Sequence, residues 1–262
     1  MEILNIIDPV QFRTYMLVLL RISIVLFLLP IFSSNVFPVM LKMGFAMVIS
    51  LVLYTVVHVD LGRFPMDVLS TGLLMGAEAL IGLTLGLSLR IFFGSVQLAG
   101  QIIGFQMGFA MINVVDPQTG ANVSIMDQLG YWVCVLVFML SNGHHIMLMA
   151  LVDSFDLVPL GFFMAQKVIL AKMIELTGDL FLVAIKIGAP VMASLVFVNV
   201  GFGLISKFSP QMNVMIVAFP LQILGGLLMF GLSLQIVAIV VREYIKDFKE
   251  LLMYFLFFIG GG

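Results

Sequence analysis

The chain has 262 residues, 62% of them hydrophobic and 10% charged, and its 12 Lys and Arg against 14 Asp and Glu leave a net charge of −2. A soluble domain carries about 25% charged residues, so a water-covered fold is excluded: the missing polar exterior must face lipid or equally apolar subunits. The same balance, with no basic block, excludes a nucleic-acid surface.

The first apolar stretch, Tyr15–Phe32, follows Glu2 and Asp8. A signal peptide would begin with a basic region and end at a small-residue cleavage site, so this stretch is expected to stay in the mature protein. Further stretches suited to the roughly 20 residues of a bilayer helix recur at Met43–Val59, Val68–Leu89, Gln128–Val152, Leu180–Leu204 and Met212–Val241. A Gly-rich stretch, Ile91–Val115, is weaker, and Leu251–Ile259 is below spanning length. None alternates apolar with polar residues, so helix is the predicted element throughout. Breaks are predicted at Pro30 with Ser33, Ser34, Asn35 and Pro38, at Asp60–Pro65, at Asp116–Asn122, at Ser141–His144 and at Ser209-Pro210. Pro190 and Pro220 lie inside apolar stretches and predict kinks.

Charges fall within these stretches or at their edges: Arg21, Lys42, Glu78, Arg90, Lys172, Glu175, Asp179 and Lys186. A charge at the centre of a bilayer costs about 2.5–3.5 kcal/mol on insertion scales, so each needs a partner or water. Lys172 and Glu175 have the i,i+3 spacing of a helix-face pair. Spacing names no partner for Arg21, Glu78 or Lys186; structural ion pairs are the plain reading and ion movement the alternative. Arg242, Lys246 and Lys249 form the densest basic group and weakly favour a cytoplasmic C-terminus.

Chemistry is sparse. Cys134 is the single cysteine and lies inside the apolar run Tyr131–Leu140, where a small core residue is expected. His144 and His145 are adjacent and would point about 100° apart on a helix, with His58 distant, so no metal site is expected. Asp153 and Asp156 read as a helix end. No phosphate loop occurs. The chain is therefore expected to be no enzyme and to hold no cofactor.

Gly72 with Gly76, Gly82 with Gly86, and Gly100 with Gly104 and Gly108 are small-xxx-small pairs, which let helices approach closely either within the chain or against other subunits. Twenty methionines and 24 phenylalanines suit adaptable packing or a deformable seal, depending on where they lie. Gln101–Ser124 carries Met107 and Met111, then ends in a polar turn. It is too irregular for a lipid-facing span and too apolar for a surface loop. Such backbone at membrane depth must be surrounded by protein or line a wet cavity. A loop inserted into a pore meets both demands; a plain interhelical connection is the alternative.

Three motifs carry a resemblance. They are Gln101-Ile-Ile-Gly-Phe-Gln-Met-Gly-Phe-Ala with Val115-Asp116-Pro117, Asn142-Gly143-His144 with Val152–Phe155 and Pro159–Gly161, and Gly203–Asn213 running on to Phe219-Pro220-Leu221. With Arg21, Pro30, Pro38 and Lys42, they cover nearly the whole chain in order. The sequence resembles the FliR family of flagellar biosynthetic proteins, and less closely the corresponding subunit of virulence type III secretion systems. The resemblance implies an all-α, membrane-associated export-gate subunit of kinked helical hairpins. A P-like part (about 1–205) would precede a Q-like C-terminal hairpin (about 206–262) in a helical hetero-oligomer. Implied partners are the P and Q subunits, the A and B export components, translocated polypeptides and membrane lipid, at the bacterial inner membrane and flagellar basal body. The family's plug corresponds to about 106–124, so Gln106, Met107, Gly108, Phe109, Ala110, Met111, Asp116, Pro117 and Gly120 are its candidate residues. Arg21, Lys42, Glu78, Arg90, Lys186 and Lys207 become inter-subunit or structural charges, and Pro210, Gln211 and Asn213 the hairpin motif. Lys207 stands where relatives often have Arg, which keeps the charge but not a bidentate contact. Ending at Gly262, the chain is expected to lack the B-type domain fused in some relatives. A secondary transporter is the rival from another class, but neither inverted repeats nor a compact polar midplane site is discernible.

Overall fold

The computed structural model describes residues 9–33, 37–56, 67–109, 125–208, 211 and 214–262. Among these every regular element is a helix: α1 (Pro9–Leu28), α2 (Pro30–Ser33), α3 (Val39–Val56), α4 (Val68–Gln106), α5 (Ile125–Leu140), α6 (Gly143–Leu157), α7 (Lys167–Phe208) and α8 (Val214–Ile259). The windows Gln11–Leu28, Leu69–Gln106, Lys167–Phe208 and Ile216–Ile259 are each long and apolar enough to cross a membrane, and α5 with α6 makes a fifth if taken as one broken span. The protein is an all-helical, membrane-associated chain.

Several helices outrun the expected stretches. Val68–Leu89 and the weak Gly-rich stretch join into one 39-residue helix through Arg90. Likewise α7 starts at Lys167, taking in Lys172, Glu175 and Asp179, and continues through Pro190 for 42 residues. In α8 the helix continues through Pro220 and the charged run Arg242–Glu250 to include Leu251–Ile259, 46 residues in all. Packing explains this continuity, because helix stability in proteins comes mostly from a buried face rather than from propensity. The break at Ser141-Asn142 is where the sequence places it. Asn142 has φ 57°, the left-handed conformation that asparagine tolerates better than most residues. The predicted turns at Asp60–Pro65, Asp116–Asn122 and Ser209-Pro210, and His58, lie outside the described residues.

The chain divides into two compact units, one of residues 1–91, 142–176 and 245–262, the other of 92–141 and 177–244. In the first unit α1 packs against α3, with the Tyr15 ring edge-on to Tyr54 at 6.1 Å. Its other side lies on α4, where a Cβ at Gly82 would come within 3.0 Å of the Ile24 Cβ and one at Gly86 within 2.4 Å of the Leu28 Cδ1. Gly82 and Gly86 thus serve packing within the chain, while Gly72 and Gly76 face open space.

Buried at the centre of this unit is Arg21. Its Nε donates to Glu78 Oε2 at 2.5 Å and its Nη2 to Glu78 Oε1 at 3.0 Å. Nη1 donates to the Ser154 carbonyl at 2.8 Å, and both terminal nitrogens lie 3.2 Å from the Val158 carbonyl. The Phe155 ring lies 4.4 Å from the guanidinium carbon. Glu78 Oε1 also accepts the Gly161 N–H at 2.7 Å. One side chain thus ties α1 to α4 and closes the C-terminal end of α6, whose last carbonyls have no helical donor. Replacing Arg21 with Met would leave Glu78 charged and buried, a loss of about 3–5 kcal/mol, read as a lower melting temperature of the purified protein in detergent. Adding Glu78→Leu should recover only part of it, because the Val158 carbonyl and Gly161 N–H stay without these partners.

In the second unit Phe93 makes edge contacts with Tyr131 and Phe138, at 5.9 and 5.5 Å, and Phe92 stacks on Tyr244 at 3.8 Å. Gly100 abuts the Asp127 backbone, since a Cβ there would fall 2.5 Å from the Asp127 Cα. Beside it Gln101 donates to Asp127 Oδ2 at 3.2 Å. Gln222 of α8 donates to the Asn199 side chain of α7, an interhelical amide bond of the kind that holds apolar helices together in membranes. The core comprises Ile103, Met107, Met126, Val191, Leu195 and Phe230.

Candidate functional site

The implied plug segment begins where α4 ends, and that end is built with care. Gly108 has φ +88° and terminates the helix in a double-bonded motif: the Gly108 N–H donates to the Phe105 carbonyl and the Phe109 N–H to the Gly104 carbonyl, each at 3.1 Å. This is the Schellman arrangement, in which a left-handed residue, usually glycine, folds the chain back over orphan carbonyls. Phe109, the residue after the turn, packs against the core cluster of this unit. In sequence Gly108 belongs to a close-packing glycine series; in the structure it is also the helix stop.

The terminus rests in a seat on α8. Met107 is fully buried, and Gly226 makes room for it: a Cβ at Gly226 would come within 2.6 Å of the Met107 Cγ and 2.8 Å of its Sδ. A Cβ at Gly108 would fall 2.8 Å from the Phe219 ring. Gln106 Oε1 is buried and accepts no hydrogen bond among the described residues. No group of three or more potential metal ligands occurs among the described residues.

Residues 12–248 match the family described as bacterial export proteins, family 1. Flagellar biosynthetic protein FliR of Bacillus subtilis (strain 168) is 30% identical over 255 residues, covering 91% of this chain and 92% of that protein. The chain belongs to the FliR family of bacterial export proteins. The FliR proteins of Escherichia coli (strain K12) and Aquifex aeolicus (strain VF5) are each 26% identical to it. The first covers 84% of both chains, the second 95% of this chain and 97% of its own. Membership makes the chain a component of flagellar protein export, and its long apolar helices make it an integral membrane protein.

Within this FliR-family chain the candidate residues separate. Met107 is a core residue of the second unit, Phe109 is half-buried beside it, and Phe105, one turn earlier, is exposed. Ala110, Met111, Asp116, Pro117 and Gly120 lie outside the described residues, as do Pro210 and Asn213, while Gln211 is exposed in a turn. Of the charges, Arg21 and Glu78 are paired and buried. Lys186 approaches Glu243 at 3.9 Å with both side chains about two-thirds exposed, where an ion pair contributes little. Lys172 pairs with Glu175 at 2.8 Å, as the spacing predicts. Lys42 is half-buried on α3, Arg90 exposed on α4, and Lys207 lies in the last turn of α7, where a cation suits the helix dipole. Sequence reasoning missed Gly226 and the role of Phe219. The Gly225-Gly226 doublet inside an apolar helix was the available signal. A Gly108→Ala substitution should cost about 1–2 kcal/mol through the left-handed backbone alone, and amide hydrogen exchange at Gly108 and Phe109 should quicken by roughly tenfold or more.

Proposed function

We propose that this chain is the R subunit of the flagellar type III export gate. In this reading it assembles in the bacterial inner membrane, at the flagellar basal body, with P and Q subunits and with the A and B export components. Together they form the channel that passes unfolded flagellar proteins. The observation that carries the reading is the length of the exposed apolar surface. Large apolar side chains are exposed on α7 from Leu170 to Phe208 and on α8 from Ile216 to Phe257. At 1.5 Å per residue these extents are about 57 and 62 Å, roughly twice the 30 Å of a hydrocarbon core. One membrane passage covers about half of each helix, whether or not the prolines bend it. Neighbouring apolar chains would cover the rest, as a hetero-oligomeric gate requires and a lone transporter does not. The named relatives are flagellar, which favours the flagellar over the virulence apparatus.

Within the gate, the segment about 106–124 is the plug, with the P-like part spanning about 1–205 and the Q-like hairpin about 206–262. Met107 holds the root, and Phe109 and Met111 would help form the seal. A soft apolar constriction excludes ions yet yields to a passing polypeptide. Purification from native membranes in mild detergent should bring down P and Q subunits; a stable monomer without companions would refute the assembly. Deleting Phe109–Ala121 should raise resting ion leak, and unchanged conductance would remove the segment from the gate.

A further inference from the structure

Resting on the plug reading, we propose that the α4 terminus is held closed by a size-matched latch, in which Met107 occupies a socket left open by Gly226 and Gly226 acts as a positioning residue for the closed gate. The fit is specific to one glycine. A Cβ at Gly226 would collide with Met107 Cγ, Sδ and Cε at 2.6–2.8 Å, whereas one at the adjacent Gly225 would meet nothing within 4 Å.

Three further observations make the contact a latch rather than mere filling. Met107 directly follows the last residue of α4 and precedes the Gly108 stop, so its seating fixes where Phe109 and the following segment start. Its side chain is unbranched and can leave the socket by changing rotamers, without unwinding α4. Gln106 Oε1, in the same turn, is buried without a hydrogen bond among the described residues. No hydrogen bond among the described residues ties this side chain down, so packing at Met107 is what holds the seated terminus. A seat held by packing lets a translocating chain shift the terminus with modest work.

Thiol labelling tests the latch without reference to conductance. Cys134, the chain's single cysteine, is buried, so a Phe109→Cys reporter in the assembled complex reads the terminus against little background. Gly226→Ala should raise the maleimide labelling rate at position 109 by about tenfold, the scale expected from overpacking a filled site. Gly225→Ala should leave it within about twofold, since nothing meets that Cβ. Met107→Ala alone empties the socket without any clash and should also raise the labelling rate severalfold; this variant serves even where Gly226→Ala fails to assemble. Unchanged labelling in either variant overturns the latch. Should the Phe109–Ala121 deletion leak while Gly226→Ala labels at the parent rate, the plug stands and the latch falls. Raised labelling with no leak on deletion leaves the seat in place and discards the plug.

Discussion

In an apolar protein with little access to water, the helix interior satisfies its own backbone, but each end leaves carbonyls or amides with no partner, at several kcal/mol apiece in hydrocarbon. How those ends are closed organises both units. At the end of α6 the carbonyls of Ser154 and Val158 receive the Arg21 guanidinium, which is in turn neutralised by Glu78. The end of α4 closes on itself through the left-handed turn at Gly108. Between α5 and α6, Asn142 takes the left-handed conformation and its carbonyl accepts the His145 and Ile146 amides. An arginine is expensive to bury, yet its fan of N–H donors can serve a carboxylate and a helix end together, which a lysine could not.

Small against large side chains is the second device. Lipid offers helices no hydrophobic reason to associate, so association depends on close contact and polar bonds. Gly82 and Gly86 admit α1 onto α4 in the first unit, and Gly226 admits Met107 in the second. A methyl at Gly86 or Gly226 would overlap the side chain facing it, and one at Gly82 would press on Ile24. The amide bond between Gln222 and Asn199 adds a directional tie between α7 and α8 in the second unit.

Much of this was legible in the sequence, for reasons that differ by feature. Excess apolar composition and the absence of alternation gave helix and membrane, because both follow from the need to satisfy the backbone. The breaks at Pro30 and at Ser141-Asn142 were visible because turn chemistry is local. The continuity of α4 through Arg90 and of α8 through its charged run was not, since it depends on faces buried by distant segments. Glu78 lies 57 positions from Arg21, too far for any helix-spacing rule, and Ser154 lies 133 positions away. Gly108 reads in sequence as part of a close-packing series, and only the hydrogen bonds to Phe105 and Gly104 show that it also ends the helix. Gly226 had no reading at all until Met107 was seen beside it.

The charged run on α8 has an electrical consequence. Arg242, Lys246 and Lys249 are cations, Glu243, Asp247 and Glu250 are anions, and all six are exposed. A transmembrane voltage does work only on net charge moved through it, about 2.3 kcal/mol per elementary charge per 100 mV. These six cancel, so the field has no net grip on this length of the helix. Displacing it along the membrane normal would have to be driven mechanically, by neighbours or by cargo, rather than by the voltage acting on these side chains.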